Sequence, residues 1–186
     1  MKNAALAVAC VLALAGPALA DEPKKDAVPQ GMPPIPKPGP DQEIFRSDAG
    51  VWDAKVEVMM PPMASVGTET NTLGCGGLCL ITDFKGDFGG MPFEGHGTTV
   101  YDSLKKKYVG TWTDSMSSGI ALGESTWDAA TKTMTGSMES SDASGHPSKM
   151  RSTVEYKDAG TRVFTMYMTG PDGKEVPGMR ITYKKK

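Results

Sequence analysis

The sequence predicts an all-β protein: an antiparallel up-and-down barrel of about ten strands, with a short helix before the first strand. Strand-like runs recur about every ten residues from position 51 onward. Tight-turn compositions separate these runs, so no connection after residue 64 has room for a crossover helix. The 186 residues include 22 Gly, and Gly costs about 1 kcal/mol at a helical position, which disfavours a helix bundle. A meander of this length buries one face best by closing on itself, and closure also removes its edges. A two-sheet sandwich is the alternative, but it needs at least one long connection.

The elements follow in chain order. Residues 1–20, MKNAALAVACVLALAGPALA, carry a basic start at Lys2, an apolar stretch from Ala4 to Ala15 and a small-x-small ending at Ala18-Leu19-Ala20. That is the pattern of a secretory signal peptide. The stretch is shorter than the roughly 20 residues a membrane span needs, which disfavours an uncleaved anchor. Too few apolar residues precede Cys10 for a lipidation box. The expected protein is therefore exported, periplasmic or extracellular, with no membrane span in its mature form.

Residues 21–40 hold seven prolines and read as a solvated linker, since proline has no N–H to give a ladder. The domain is placed at 41–186. It carries 16 basic and 19 acidic residues, net −3, so nucleic acid and polybasic membrane attachment are not expected.

Asp41 to Asp48 predicts one or two helical turns, with Asp41 as N-cap and Gly50 as stop. In the first strand, Trp52, Ala54, Val56 and Val58 alternate with Asp53, Lys55 and Glu57, the period of a sheet with one wet face. Further strands are expected near 64–73, 77–87, 93–101, 107–116, 119–127, 132–140, 148–157, 161–168 and 176–185. The separators 102–105, 128–131, 142–145, 158–160 and 171–174 pair Asp with Gly or other turn formers.

Gly50-Val51-Trp52, after a short helix and before a meander, resembles the G-x-W signature of lipocalin-type (calycin) barrels. The resemblance implies that a basic residue of the last strand covers the tryptophan. Arg180 is the candidate, although Met179, Ile181 and Tyr183 alternate beside it as the core face. Longer motifs, Gly67–Asn71, Lys85–Phe88, Met91–Gly97, Lys107–Met116, Gly170–Lys174 and Ile181–Tyr183, are similar to a bacterial family of exported proteins known only as a domain of unknown function. That similarity implies a calycin-like barrel and brings no activity. Cys75 and Cys79 depart from the family, where aliphatic residues are usual.

Alternation places Tyr108, Trp112, Asp114 and Met116 inward on their strand, and Ile120, Leu122 and Glu124 inward on the next. His96 shares a face with Glu94, opposite Phe93 and Tyr101; Arg151 shares one with Glu155. Asp114, Glu124, His96 and Arg151 would together make a polar pocket floor, or else a satisfied structural network or plain surface charge. His96 with Asp114 would be a base and its orienter, but no G-x-S-x-G, Walker A or H-E-x-x-H pattern accompanies them. The glycines at 89–90, 95 and 97 read as bends or bulges.

Met59, Met60 and Met63 offer three thioethers, which suit Cu(I). His96 as a heme ligand rests on fold analogy alone. Cys75 and Cys79 would lie about 13 Å apart in an extended strand, beyond the usual disulfide limit of about 7 Å, unless Gly76 and Gly77 fold the chain back. A small structural disulfide is the expectation in an oxidising compartment.

The resulting expectation is a non-enzymatic barrel without a cofactor. It would bind a small apolar or amphipathic molecule through Trp52, Tyr108, Trp112, Tyr167 and methionines, with Asp114, His96, Glu124 and Arg151 as polar groups. The alternatives are a copper- or heme-binding protein and a structural or interaction domain whose interior is filled.

Overall fold

A computed structural model describes residues 34–141, 145–170 and 172–186. The signal peptide expected over 1–20 and most of the linker expected over 21–40 lie outside the described residues. So do positions 142–144 and 171 of two expected turns.

Ten antiparallel strands form one closed barrel. They are β1 (Gly50–Met59), β2 (Pro62–Gly74), β3 (Cys79–Phe88), β4 (Met91–Asp102), β5 (Lys107–Asp114), β6 (Ala121–Asp128), β7 (Thr133–Ser141), β8 (Pro147–Asp158), β9 (Thr161–Thr169) and β10 (Glu175–Lys185). Each strand pairs with its sequence neighbours, and β1 pairs with β10 to close the ring. The sandwich alternative is thereby excluded, and the edge-free meander is what the sequence predicts.

A 3-10 turn, Pro40–Gln42, leads into the short helix α1, Glu43–Asp48. Asp41 lies inside that turn and does not cap the helix. The turn is instead tied by Gly39 N–H, which donates to Gln42 Oε1 at 2.7 Å. The helix seats Phe45 in one end of the barrel against Leu80 and Tyr108, whose hydroxyl donates to the Asp41 carbonyl at 2.8 Å. The Phe45 and Tyr108 rings meet edge to face at 5.7 Å. Gly50 follows with a φ of 126°, a conformation that favours glycine and starts β1 directly after the helix.

The inner faces of β1, β3 and β10 bury Trp52, Ala54, Val56, Phe84, Ile181 and Tyr183 as one cluster. The alternation of β5 is as the sequence predicts. That of β6 is reversed: Ala121 is buried, while Ile120 and Leu122 are more than half exposed and Glu124 faces outward. Trp112 pairs with Ala121, so a small residue of β6 faces the bulky ring of β5, and Gly123 shares that inner face opposite Gly110. Side-chain size across the ladder decided the facing, and a one-residue slip inverts it.

Gly95 and Gly97 keep the β3–β4 and β4–β5 registers regular, so they are not bulges. They form the floor under the Trp112 ring. A Cβ on Gly97 would lie 3.0 Å from that ring, and one on Gly95 would overlap it.

Candidate ligand cavity

A cavity of about 480 Å³ opens inside the barrel at the end away from α1, within the range of small-molecule sites. Alternation aims its walls. Phe84, Phe88, Phe93 and Trp112 come from β3, β4 and β5. Met138, Met150, Phe164, Met166 and Met179 come from β7 to β10. Phe93 stands edge to face with Phe84 at 5.8 Å, which fixes one wall in a low-energy aromatic geometry. The methionine wall opposite is unbranched and adaptable. Asp87, Asp114 and Ser117 add polar atoms, and the hairpins that carry them form the mouth.

Glu69 and Tyr183 also line the cavity, where they join it to a buried polar cluster. Arg162 is its centre, half-sandwiched by the Trp52 ring at 4.5 Å and the Tyr183 ring at 4.7 Å. Its guanidinium bonds Asp48 at 2.7 Å and also Glu69. Asn71 Nδ2 donates to Glu69 Oε1 at 2.7 Å, and Thr82 donates to Asn71 Oδ1 at 2.7 Å. Tyr156 donates to Asp48 Oδ2, and Trp52 Nε1 to the Asp48 carbonyl, both at 2.8 Å.

Burial raises the Asp48 pKa, against the pull of Arg162 and the Tyr156 hydroxyl. Burial also opposes the charge on Arg162, but Asp48 and Glu69 outweigh it and its pKa is raised. Both Tyr156 and Tyr183 are held well above their ordinary value, first by burial and next by a neighbouring carboxylate. Asp48 and Glu69 thus both pair with Arg162 in a buried polar floor.

The sequence-expected residues divide between these places. Trp112 and Asp114 reach the cavity, and Trp112 Nε1 donates to Asp114 Oδ2 at 3.0 Å. Trp52 is 1% exposed under Arg162, and Tyr108 packs below α1; neither lines the cavity. The polar floor expected from His96, Glu124 and Arg151 does not form. All three are on the outer face, because each alternates with residues that pack inward. His96 pairs there with Asp83 at 2.8 Å. Glu124 takes Lys105 at 2.6 Å and Lys107 at 2.8 Å, which bring its pKa down to about 2. Arg151 lies 3.6 Å over the Tyr167 ring and bonds Glu175, so Tyr167 also belongs to the outer face.

Arg180 is exposed on β10; the basic residue of that last strand over the tryptophan is Lys185, at 5.2 Å, and Arg162 of β9 covers it from 4.5 Å. The available signal was alternation: Arg162 shares its face with Phe164 and Met166. No comparable signal marks Glu69 and Asn71, which sit on a strand of Thr, Gly and Ser.

Met59 and Met63 point to opposite faces of the β1–β2 hairpin, since Val58 packs inward opposite Met63, so the three thioethers do not converge. Among the described residues no cluster of His, Cys, Asp and Glu is placed to hold a metal, and no helix is long and apolar enough to cross a membrane. Positive φ angles at Cys75, Gly76 and Gly77 fold the chain back after β2. This brings the Cys75 and Cys79 Sγ atoms to 2.6 Å, so the two partners of the expected disulfide meet in the turn.

No curated protein matches the chain significantly. A described family does: its pattern covers residues 37–185, from the residues before α1 to the end of β10. The chain belongs to that family, DUF1579, a family of proteins of unknown function.

Proposed function

We propose that the protein is an exported, lipocalin-like carrier that holds a small apolar or amphipathic molecule inside its barrel and catalyses no reaction of its own. The cavity carries this reading. It is enclosed by aromatic and methionine side chains, and its wall carboxylates are already engaged by neighbours. A domain serving only as structure has no use for about 480 Å³ of unfilled interior, since interiors are otherwise close-packed. Against heme, His96 is on the outer face and bonded to Asp83. Export is supported by the composition of residues 1–20, and calycin kinship by Gly50-Val51-Trp52 under a covering arginine.

Native mass spectrometry of the protein purified from its own compartment tests the reading. The expected result is a non-covalent adduct, lost in Met166→Trp, where a larger ring fills the cavity. Protein that is free of adduct and takes up no hydrophobic probe sinks the carrier reading. N-terminal sequencing of the same material tests export, with Asp21 as the expected first residue.

A further inference from the structure

The cavity's charges bear on the ligand's head group. Among the described residues its lining includes three carboxylates, Glu69, Asp87 and Asp114, and no Lys, Arg or His. Glu69 is at the floor and bonds Arg162 and Asn71. Asp114 stands in the mouth at the end of β5, and exposed Asp87 stands on its rim near the end of β3, where it alternates with the inward Phe88. Asp87 Oδ1 accepts from the Gly90 N–H at 2.8 Å. Asp114 accepts from the Met116 N–H at 2.9 Å and from Trp112 Nε1 at 3.0 Å. These neutral donors orient the carboxylates without cancelling their charge, and among the described residues no cation pairs with either. Aromatic faces stand beside them: Phe88 and Phe93, with centroids 6.1 Å apart, and Trp112 across β4.

A carboxylate pair at the mouth of an apolar, aromatic cavity attracts a cation twice, through its charge and through the ring faces, and repels an anion. We propose that the cavity takes an amphiphile with a cationic head, an alkylammonium, in preference to a fatty carboxylate. This rests on the cavity's being a ligand site. The alkyl chain lies against Met138, Met150, Phe164 and Met166, and the ammonium lies at the mouth by Asp87 and Asp114.

Calorimetric titration of the mature chain with decylamine, decyltrimethylammonium, decanol and decanoate, below their micelle concentrations, tests it. Both cations are expected to bind about tenfold tighter than decanol, and decanoate more weakly than decanol. The double variant Asp87→Asn/Asp114→Asn is expected to bring the cations to decanol's affinity, and decanol binding by the variant shows that its cavity is intact. Decanoate binding as tightly as the cations, or a cation preference that survives in the variant, overturns the proposal. Decanol binding with no cation preference overturns the head group and leaves the carrier reading standing; failure of all four overturns both.

Discussion

Beneath α1, Trp52 is 1% exposed and Arg162 is ringed by two carboxylates and two aromatic rings. At the other end of the same strands, Met60, Met91 and Met116 are exposed on the hairpins, and the interior holds a hole. The backbone ladders run through both ends, so hydrogen bonding in the sheet is not the difference. The difference is in what the inward side chains meet. Beside α1 they meet one another and a helix, and Tyr108, Trp127 and Tyr156 line an open cleft of about 440 Å³ at the helix's edge; at the mouth they line the barrel's own interior volume. Tight side-chain packing is thus concentrated toward one end of the barrel.

Substitutions can break that contrast. The largest effect is expected for Arg162→Ala, which leaves Asp48 and Glu69 buried without their cation. Urea unfolding should show a loss of about 3–5 kcal/mol. A loss of only a few tenths would mean that water reaches the cluster. Next is Trp52→Phe, which keeps the ring stack but removes the bond to the Asp48 carbonyl. Its expected cost is about 1–3 kcal/mol by the same assay.

At the mouth, Met138→Ala should cost about 1 kcal/mol, below the range of about 2–5 kcal/mol for truncating methionine in a packed core. A loss as large as that of the Trp52 variant would show the mouth to be packed after all.

The smallest effect is expected for Glu124→Gln on the outer face, where the lysine pair is solvated and salt-screened. Lys105 and Lys107 lower the Glu124 pKa from 4.5 to about 2, so the native form binds its proton less readily than the unfolded chain does. Its contribution is present above the unfolded value and is lost as pH falls toward about 2. The variant should therefore lose less stability than the wild type across that window, and added salt should narrow the gap.

Much of this was legible from alternation. Trp52, Val56, Trp112 and Ile181 announce their facing because apolar and polar residues take turns on their strands. The facing of β6 did not show, because Ile120 and Leu122 are large but exposed while Ala121 and Gly123 are small and inward. There, register with Trp112 outweighed hydrophobicity. The cavity was legible only as an interior, and its methionine wall only as composition. The buried cluster was missed because it joins Asp48, Glu69, Tyr156 and Arg162 across four separate elements, and no local pattern records such a meeting. The cover over Trp52 likewise joins Arg162 of β9 with Lys185 of the last strand, where alternation turns Arg180 outward.

Ring closure has one more consequence. β10 bonds β1 on one side and β9 on the other, and the Lys186 N–H reaches the Val51 carbonyl at 2.9 Å. A chain emerging amino end first cannot make that seam until β10, Glu175–Lys185, is free. A ribosome that stalls before Glu175 would release a nine-stranded sheet with two bare borders, a ready template for sticking to its siblings. Quality control of this protein would then turn on β10 far more than on any residue of the cavity wall.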